Sequence, residues 1–365
     1  MTDLPINAVL DEIVDAVRVH RCCVVEAPPG AGKSTRVPSA LLDAGLAGDG
    51  RIVVLQPRRL AARLLAQYVA SVRGGELGDE VGYRVRFDER AGPRTRIEYT
   101  TEGTLLRRMI TDPTLRGVGV LVLDEQHERS LDGDMVLALA DRLRRGPRAD
   151  LALVVMSATL DGVRVATWLD DAPRVRSEGR AFPVALEFVD GAGRRPDPAT
   201  VADAVRRVDC GDGDLLVFLP GAGDIRAVGE RLEAWARGKG VNLRPLHGDL
   251  PLAAQAEAVQ PGPRPKVILA TNVAETSVTV EGVTAVVDSG LVRVATWSPW
   301  SGLPGLEVRR ISRSSAAQRA GRAGRTAPGR CLRLYSEADL RTREEHGAPE
   351  IHRADLAGAT LLLLG

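Results

Sequence analysis

At 365 residues, 44% apolar and 27% charged, the chain has the make-up of an ordinary globular protein of two or three domains. Its formal net charge of +1 excludes a uniformly basic nucleic-acid coat but leaves room for a local basic groove. No apolar run reaches the ~20 residues of a membrane helix and the polar, acidic N-terminus lacks a signal-peptide pattern, so a cytoplasmic protein with no membrane partner is expected.

In chain order, short β-branched or Leu-rich runs alternate with helical stretches. Residues 22–26, 52–55, 118–123 and 151–156 read as buried parallel strands, each ending in a polar or Gly/Pro cluster. Helical stretches at 35–42, 60–72 and 103–110 lie between them. The alternation predicts a doubly wound α/β sheet, whose ligands bind beyond the carboxyl ends of the strands. After a polar, Gly-containing joint at 177–183 the pattern restarts, with strand runs at 215–219, 267–270 and 284–287 and no second phosphate loop. Two similar sheets are therefore expected, one of them carrying a phosphate site. Residues 190–198, rich in Gly, Pro, Asp and Arg, read as a flexible loop. Aromatics are only 3%, so Val, Leu and Ala must fill the cores. Cys22, Cys23, Cys210 and Cys331 lack zinc-ligand spacing and read as reduced, structural thiols.

The run Ala27-Pro28-Pro29-Gly30-Ala31-Gly32-Lys33-Ser34-Thr35 follows the first strand and opens the first of those helices, the context a phosphate-binding loop requires. Gly30 and Gly32 let the backbone wrap a phosphate without Cβ clashes. Backbone N–H groups and the helix N-terminus then face the anion. Lys33 is expected to reach the β- and γ-phosphates, and the Ser34 hydroxyl to bind Mg²⁺. The usual first Gly is Ala27, so the bare pattern competes with a chance Gly-rich turn. The second polar strand end resolves that competition. The strand at 118–123 runs into Asp124-Glu125-Gln126-His127, where a P-loop enzyme holds its metal. Asp124 is expected to act through Mg²⁺, and Glu125 to orient and polarise the attacking water.

Gln318-Arg319-Ala320-Gly321-Arg322-Ala323-Gly324-Arg325 spaces three arginines at intervals of three, one face of a helix. A solvated basic face is the bland reading. Arginine fingers that offset charge on a transferring phosphoryl group are the sharper one, favoured for Arg322 and Arg325 because the second half has no phosphate loop of its own.

Together with Gln56-Pro57-Arg58-Arg59, Thr100-Thr101-Glu102-Gly103, Ser157-Ala158-Thr159 and Ala270-Thr271-Asn272-Val273-Ala274-Glu275-Thr276-Ser277, these segments resemble the ordered motifs of the DEAH/DExH-box helicases of superfamily 2. The resemblance covers nearly the whole chain. Leu246-His247-Gly248-Asp249-Leu250-Pro251-Leu252, the segment from Ser177 to Pro183 and Glu350-Ile351-His352-Arg353 narrow it to the bacterial HrpB type. It implies an α/β fold of two tandem RecA-like domains, 1–178 and 179–345, with 346–365 beginning a winged-helix region. It also implies ATP hydrolysis and 3′→5′ movement on single-stranded RNA. By the same resemblance Asp124 and Glu125 serve Mg²⁺ and water, Gln318, Arg322 and Arg325 reach the γ-phosphate, His127 pairs with the second domain, and Ser157 and Thr159 link hydrolysis to domain movement. Arg59, Thr101 and Thr271 match positions that hold the nucleic-acid backbone. Trp297 and Trp300 lie where the family has a strand-separating hairpin; they could stack on bases, although packing the hairpin against its domain is the commoner use of such rings.

The chain departs from the pattern at three places. The third residue of the acidic motif is Gln126, making it DExH and not literally DEAH. The positions that sandwich adenine in relatives hold Tyr68 and Val259, so base recognition is expected to be loose and several nucleoside triphosphates to serve. The chain stops in an apolar helix, with residues 361–364 expected to lack a partner, as in a truncated piece of a longer protein. The main reading is an RNA-stimulated ATPase and helicase motor core working as a monomer. A DNA translocase and an ATP-switched RNA clamp are the alternatives.

Overall fold

The computed structural model describes residues 4–158, 162–179, 182–189, 195–208, 213–275, 280–298 and 300–364. They fall into two units, one running to Gly179 and including residues 349–364, the other spanning 182–348. Among the described residues no helix is long and apolar enough to cross a membrane.

The first unit contains β1 (Cys22–Glu26), β2 (Arg51–Gln56), β3 (Val81–Val85), β4 (Asp88–Arg90), β5 (Ile97–Thr101), β6 (Val118–Leu123), β7 (Ala152–Ser157) and β8 (Arg174–Arg176). They form one sheet in the order β4-β3-β5-β2-β6-β7-β1-β8, parallel except for β3 with β4. Helices α1 (Leu10–His20), α2 (Lys33–Asp43), α3 (Arg59–Val72), α4 (Glu102–Thr111), α5 (Leu131–Arg144) and α6 (Gly162–Trp168) cover its two faces. Because successive side chains of a strand point to opposite faces, β1 divides its residues between two cores. Cys23 and Val25 join α1, α2 and α3; Cys22 and Val24 join α4, α5 and α6. This two-sided burial is why the central strands read as unbroken apolar runs.

Strand order decides what meets at the carboxyl end of this sheet. β7 lies between β6 and β1, with Ser157 opposite Glu26 and Val155 opposite Leu123. The phosphate loop, Ser157 and the acidic motif therefore emerge side by side. The terminal helix Ala357–Leu364 belongs with this unit. Ala359 and Leu362 pack on the core beside α4 and α5. Leu361, Leu363 and Leu364 stay exposed, so the expectation of an unpartnered 361–364 fails at Leu362.

The second unit holds β9 (Val184–Phe188), β10 (Asp214–Phe218), β11 (Asn242–Leu246), β12 (Lys266–Ala270), β13 (Val283–Asp288), β14 (Leu291–Ser298), β15 (Leu303–Arg310) and β16 (Gly329–Arg333). Six of them make a parallel sheet in the order β11-β12-β10-β13-β16-β9, and β14 and β15 pair separately as an antiparallel hairpin. Its helices include α7 (Pro198–Arg207), α8 (Ala222–Lys239), α9 (Leu252–Val259) and α10 (Arg313–Gly321). β10 passes to α8 through Leu219-Pro220-Gly221, and no Lys-Ser opens that helix. The phosphate-loop geometry is thus confined to the first unit among the described residues.

Candidate functional site

The loop after β1 folds as its glycines dictate. Gly30 and Gly32 have φ of +85° and +93°, the region where a Cβ is strained. A Cβ on Gly32 would also stand 2.7 Å from Leu4 Cδ1. Pro29, Gly30 and Ala31 make the turn, Ala31 N donating to Pro28 O. Lys33, Ser34 and Thr35 then form the first turn of α2, with Thr35 Oγ1 donating to Gly32 O. From below, the fully buried Tyr99 donates its hydroxyl to Ser34 O at 2.8 Å.

Lys33 points into an acidic pair. Its Nζ lies 2.9 Å from Glu125 Oε1 and 3.9 Å from Asp124 Oδ1. Lys33, Asp124 and Glu125 are 3%, 3% and 6% exposed, so charge interactions here are poorly screened. Burial pushes the Asp124 carboxyl above its usual range, while the Lys33 ammonium pulls it the other way. Asp124 Oδ1 accepts from Glu125 N at 2.9 Å and Oδ2 from Gln56 Nε2 at 2.7 Å. Glu125 sits at φ +54°, a left-handed conformation costing a non-Gly residue about 1–3 kcal/mol and met most often at functional sites. The short 3₁₀ turn Gln126–Glu128 follows. Gln126, the third residue of the acidic motif, donates to Asp134 Oδ1 in α5 at 2.8 Å. His127 Nδ1 accepts from Ala158 N at 3.3 Å, and its Nε2 lies 3.5 Å from Glu125 Oε2. His127 therefore bridges the acidic motif to the segment after β7 within the first unit. Ser157, the last residue of β7, is buried; Thr159 lies outside the described residues.

The nucleic-acid candidates of this unit come from neighbouring strand ends. Gln56 of β2 is opposite Thr101 of β5. Arg59 is exposed at the start of α3, and Thr101 Oγ1 is 3.0 Å from Thr104 Oγ1. Beside Thr101, Glu102 Oε1 accepts from Ser130 Oγ at 2.7 Å. Burial, with Glu128, Asp132 and Glu350 adding repulsion against the opposing Ser130 bond, pushes the Glu102 carboxyl up to about 7.

In the second unit α10 starts at its cap Ser312 and ends at Gly321, and a 3₁₀ turn takes Arg322–Gly324. Arg319 and Arg322 are 0% and 2% exposed, which excludes the solvated basic face for both. Arg319 is clamped by Glu275 Oε2 and Asp288 Oδ1, each at 2.9 Å. Tyr335 donates to the other Asp288 oxygen at 2.8 Å. Arg322 Nε donates to Glu275 O at 3.0 Å. Gln318 and Arg325 are half-buried. Thr271 caps the turn Asn272–Ala274 that leads to Glu275. The packing expectation fails for Trp300, which is 99% exposed, while Trp297 is half-buried. Tyr68 is 52% exposed on α3, and Val259 is buried at the end of α9.

Sequence reasoning missed Glu275, Asp288 and Tyr335 as the partners that organise the arginines. It quoted Gln56 and Glu102 inside motifs without assigning them roles. A polar residue ending an otherwise apolar strand run, as Gln56 and Asp288 do, was the available signal.

Residues 7–167 match the DEAD/DEAH box helicase family, and residues 209–327 match the helicase conserved C-terminal domain. The ATP-dependent RNA helicase HrpB of Escherichia coli (strain K12) is 45% identical over 367 residues, covering 100% of this chain and 45% of that protein. The chain thus spans about half the length of the curated relative it matches. A crystal structure of the Escherichia coli DEAH/RHA helicase HrpB superposes with a TM-score of 0.92 at 45% identity, covering 99% of this chain and 46% of that one. A second, of the E. coli DExH-box NTPase HrpB, gives 0.86 at the same identity, with 100% and 45% covered. Two tandem RecA-like domains with parallel sheets flanked by helices, and this ordered set of motifs, make the chain a member of the HrpB type of DEAD/DEAH-box helicases.

Proposed function

We propose that this chain is the motor core of an ATP-dependent RNA helicase, hydrolysing ATP to move 3′→5′ along single-stranded RNA and unwind it. The observation that carries the reading is Lys33, held at the base of a Gly30/Gly32 loop between Glu125 and Asp124. A buried ammonium beside two carboxylates, at the mouth of a loop of backbone donors, suits a phosphate chain and an attacking water.

In this proposal residues 29–35 bind the phosphates and Glu125 orients and polarises the water. Arg322 and Arg325, with Gln318, supply compensating charge and hydrogen bonds to the γ-phosphate. His127, with Ser157 and Thr159, couples hydrolysis to movement. Asp124 and Ser34 are the residues to hold Mg²⁺. Among the described residues no cluster of three His, Cys, Asp or Glu could hold a metal. One carboxylate and one hydroxyl instead suit an ion that shares its shell with water and phosphate oxygens. The chemistry Mg²⁺ supplies when bound is neutralisation of charge on the β- and γ-phosphate oxygens. Catalysis by the chain itself rests on positioning and fixed charge, with no covalent intermediate.

Arg59, Thr101 and Thr271 are proposed to grip phosphate and sugar, which carry no sequence information. The RNA substrate is supported by the relative described as an ATP-dependent RNA helicase. The exposed Tyr68 ring and the buried, ringless Val259 support loose base selection. Domain limits of 1–178 and 179–345, a winged-helix region begun by 346–365, and a cytoplasmic monomer belong to the same proposal.

Steady-state ATPase with and without single-stranded RNA, against single-stranded DNA of equal length, tests it. Stimulation by RNA and its loss in Glu125→Gln are expected. Equal stimulation by DNA would overturn the RNA assignment, and undiminished turnover in Glu125→Gln would overturn the site.

A further inference from the structure

We propose that Gln56 is a positioning residue of the hydrolytic site, holding the Asp124 carboxylate in the rotamer a Mg²⁺–nucleotide complex requires. The inference rests on the reading of Asp124 as a metal ligand and goes beyond it by naming what orients that ligand.

Register makes the contact unavoidable. β2 and β6 are parallel neighbours with Leu55 opposite Leu123, so the next residues, Gln56 and Asp124, leave the sheet together. Asp124 N donates to Leu55 O at 3.1 Å, locking the two strand ends. Gln56 is 1% exposed, and its Nε2 donates to Asp124 Oδ2 at 2.7 Å. With Glu125 N on Oδ1 and the Ser34 hydroxyl also hydrogen-bonded to the carboxylate, three donors fix the group, and Gln56 is the one that comes from the neighbouring strand. An ionised carboxylate offers about four lone-pair sites, so the group keeps acceptor capacity for a cation.

The orientation of the amide has a cost that packing alone does not explain. Gln56 Oε1 is buried and has no hydrogen-bond partner. An acidic neighbour accepts only, so the amide must present its nitrogen to Asp124 and leave its oxygen unsatisfied. A position that only needed filling would take an aliphatic side chain, as Val53 and Leu55 do on the same strand. Residues that orient metal ligands in this way typically contribute about 10–100-fold to metal affinity.

The test is Mg²⁺ titration of fluorescent-ADP binding in the wild-type chain, Gln56→Leu and Gln56→Met, starting from EDTA-treated buffer. Both substitutions remove the donor, and Met keeps the length of the side chain. Both variants are expected to need about 10–100-fold more Mg²⁺ for half-maximal tightening, with ADP affinity in EDTA and the nucleotide-free unfolding midpoint near wild type. An unchanged Mg²⁺ midpoint in Gln56→Met would overturn the proposal. So would an equal loss of affinity in EDTA, the mark of a merely structural role. Asp124→Asn separates the two levels. If it shifts the Mg²⁺ midpoint and the Gln56 variants do not, Gln56 alone fails. If it too leaves the midpoint unmoved, the metal-site reading fails and takes the Gln56 proposal with it.

Discussion

Lys33 Nζ and Glu125 Oε1 lie 2.9 Å apart with side chains only 4% and 6% exposed. The proposed water-polarising carboxylate is thus also an anchor of the proposed phosphate-binding ammonium, nearer to it than Asp124. Glu125→Gln keeps the shape and a hydrogen-bond acceptor but removes the charge. It is expected to lower kcat by about 10²–10⁴-fold, the range for loss of a general base. Nucleotide binding should persist, because Lys33 is no longer competed for by a charged partner. Single-turnover hydrolysis beside equilibrium nucleotide binding measures both; parallel loss of the two would show that Glu125 acts through folding of the loop.

Two of the motif arginines, Arg319 and Arg325, should separate cleanly. Arg319 is completely buried between Glu275 and Asp288, and breaking a buried ion pair from one side costs about 3–5 kcal/mol. Arg319→Ala should therefore destabilise the second unit by that amount. Arg325 is half-buried, and as a finger its removal should lower kcat by ~10³-fold or more with little change in stability. Denaturant unfolding and kcat on both variants decide it. A stable Arg319→Ala with slow turnover would exchange their roles.

Gly32→Ala tests the loop itself. The added Cβ would meet Leu4 Cδ1 at 2.7 Å and Ile6 Cγ2 at 3.3 Å, at a φ of +93°. Strain of this kind costs about 1–3 kcal/mol, and the lowest-cost relief is to open the loop. Nucleotide affinity should fall with a modest drop in thermal midpoint. Retained affinity would mean that Leu4 moves aside and the loop survives.

Much of this arrangement was legible before the structure. The central strands β1, β2, β6 and β7 are apolar on both faces, so their runs stood out and their polar ends marked the site. The strands missed in the first unit carry mixed signals. β5 includes Glu98, Thr100 and Thr101, and β8 is three residues at the sheet edge. The buried partners of the arginines were hidden for a different reason. Glu275 and Asp288 reach Arg319 across 44 and 31 residues, a proximity created by β13 and α10 packing that no local pattern encodes. Trp300 misled because large rings are usually buried, whereas this one stands at the tip of a hairpin that pairs only with itself.

That exposure makes Trp300→Ala a clean probe of whether the hairpin belongs to the proposed RNA surface. A 99% exposed side chain contributes little to folding, so the unfolding midpoint should not move. Base–aromatic stacking is worth about 1–3 kcal/mol per base, so single-stranded RNA affinity should drop by roughly 5–150-fold. Fluorescence anisotropy with labelled RNA reads it, and unchanged affinity would remove Trp300 from the RNA path.

Glu102 gives the chain a pH dependence near neutrality. Its carboxyl is pushed up to about 7 against an ordinary 4.5, first by burial and then by Glu128, Asp132 and Glu350. Between those values the folded chain holds a proton that the unfolded chain has lost. Stability therefore falls as pH rises from 4.5 through 7, and levels off above, where the half-buried carboxylate is charged in the fold. The full span is at most about 3 kcal/mol. Glu102→Gln keeps an acceptor for Ser130 Oγ and does not titrate. It should match the wild type near pH 5, exceed it above pH 7, and flatten the slope between. Unfolding free energies across pH 5–8 for both chains check this. Parallel curves would place the pH dependence elsewhere and show that Glu102 ionises as an ordinary carboxylate beside Thr101.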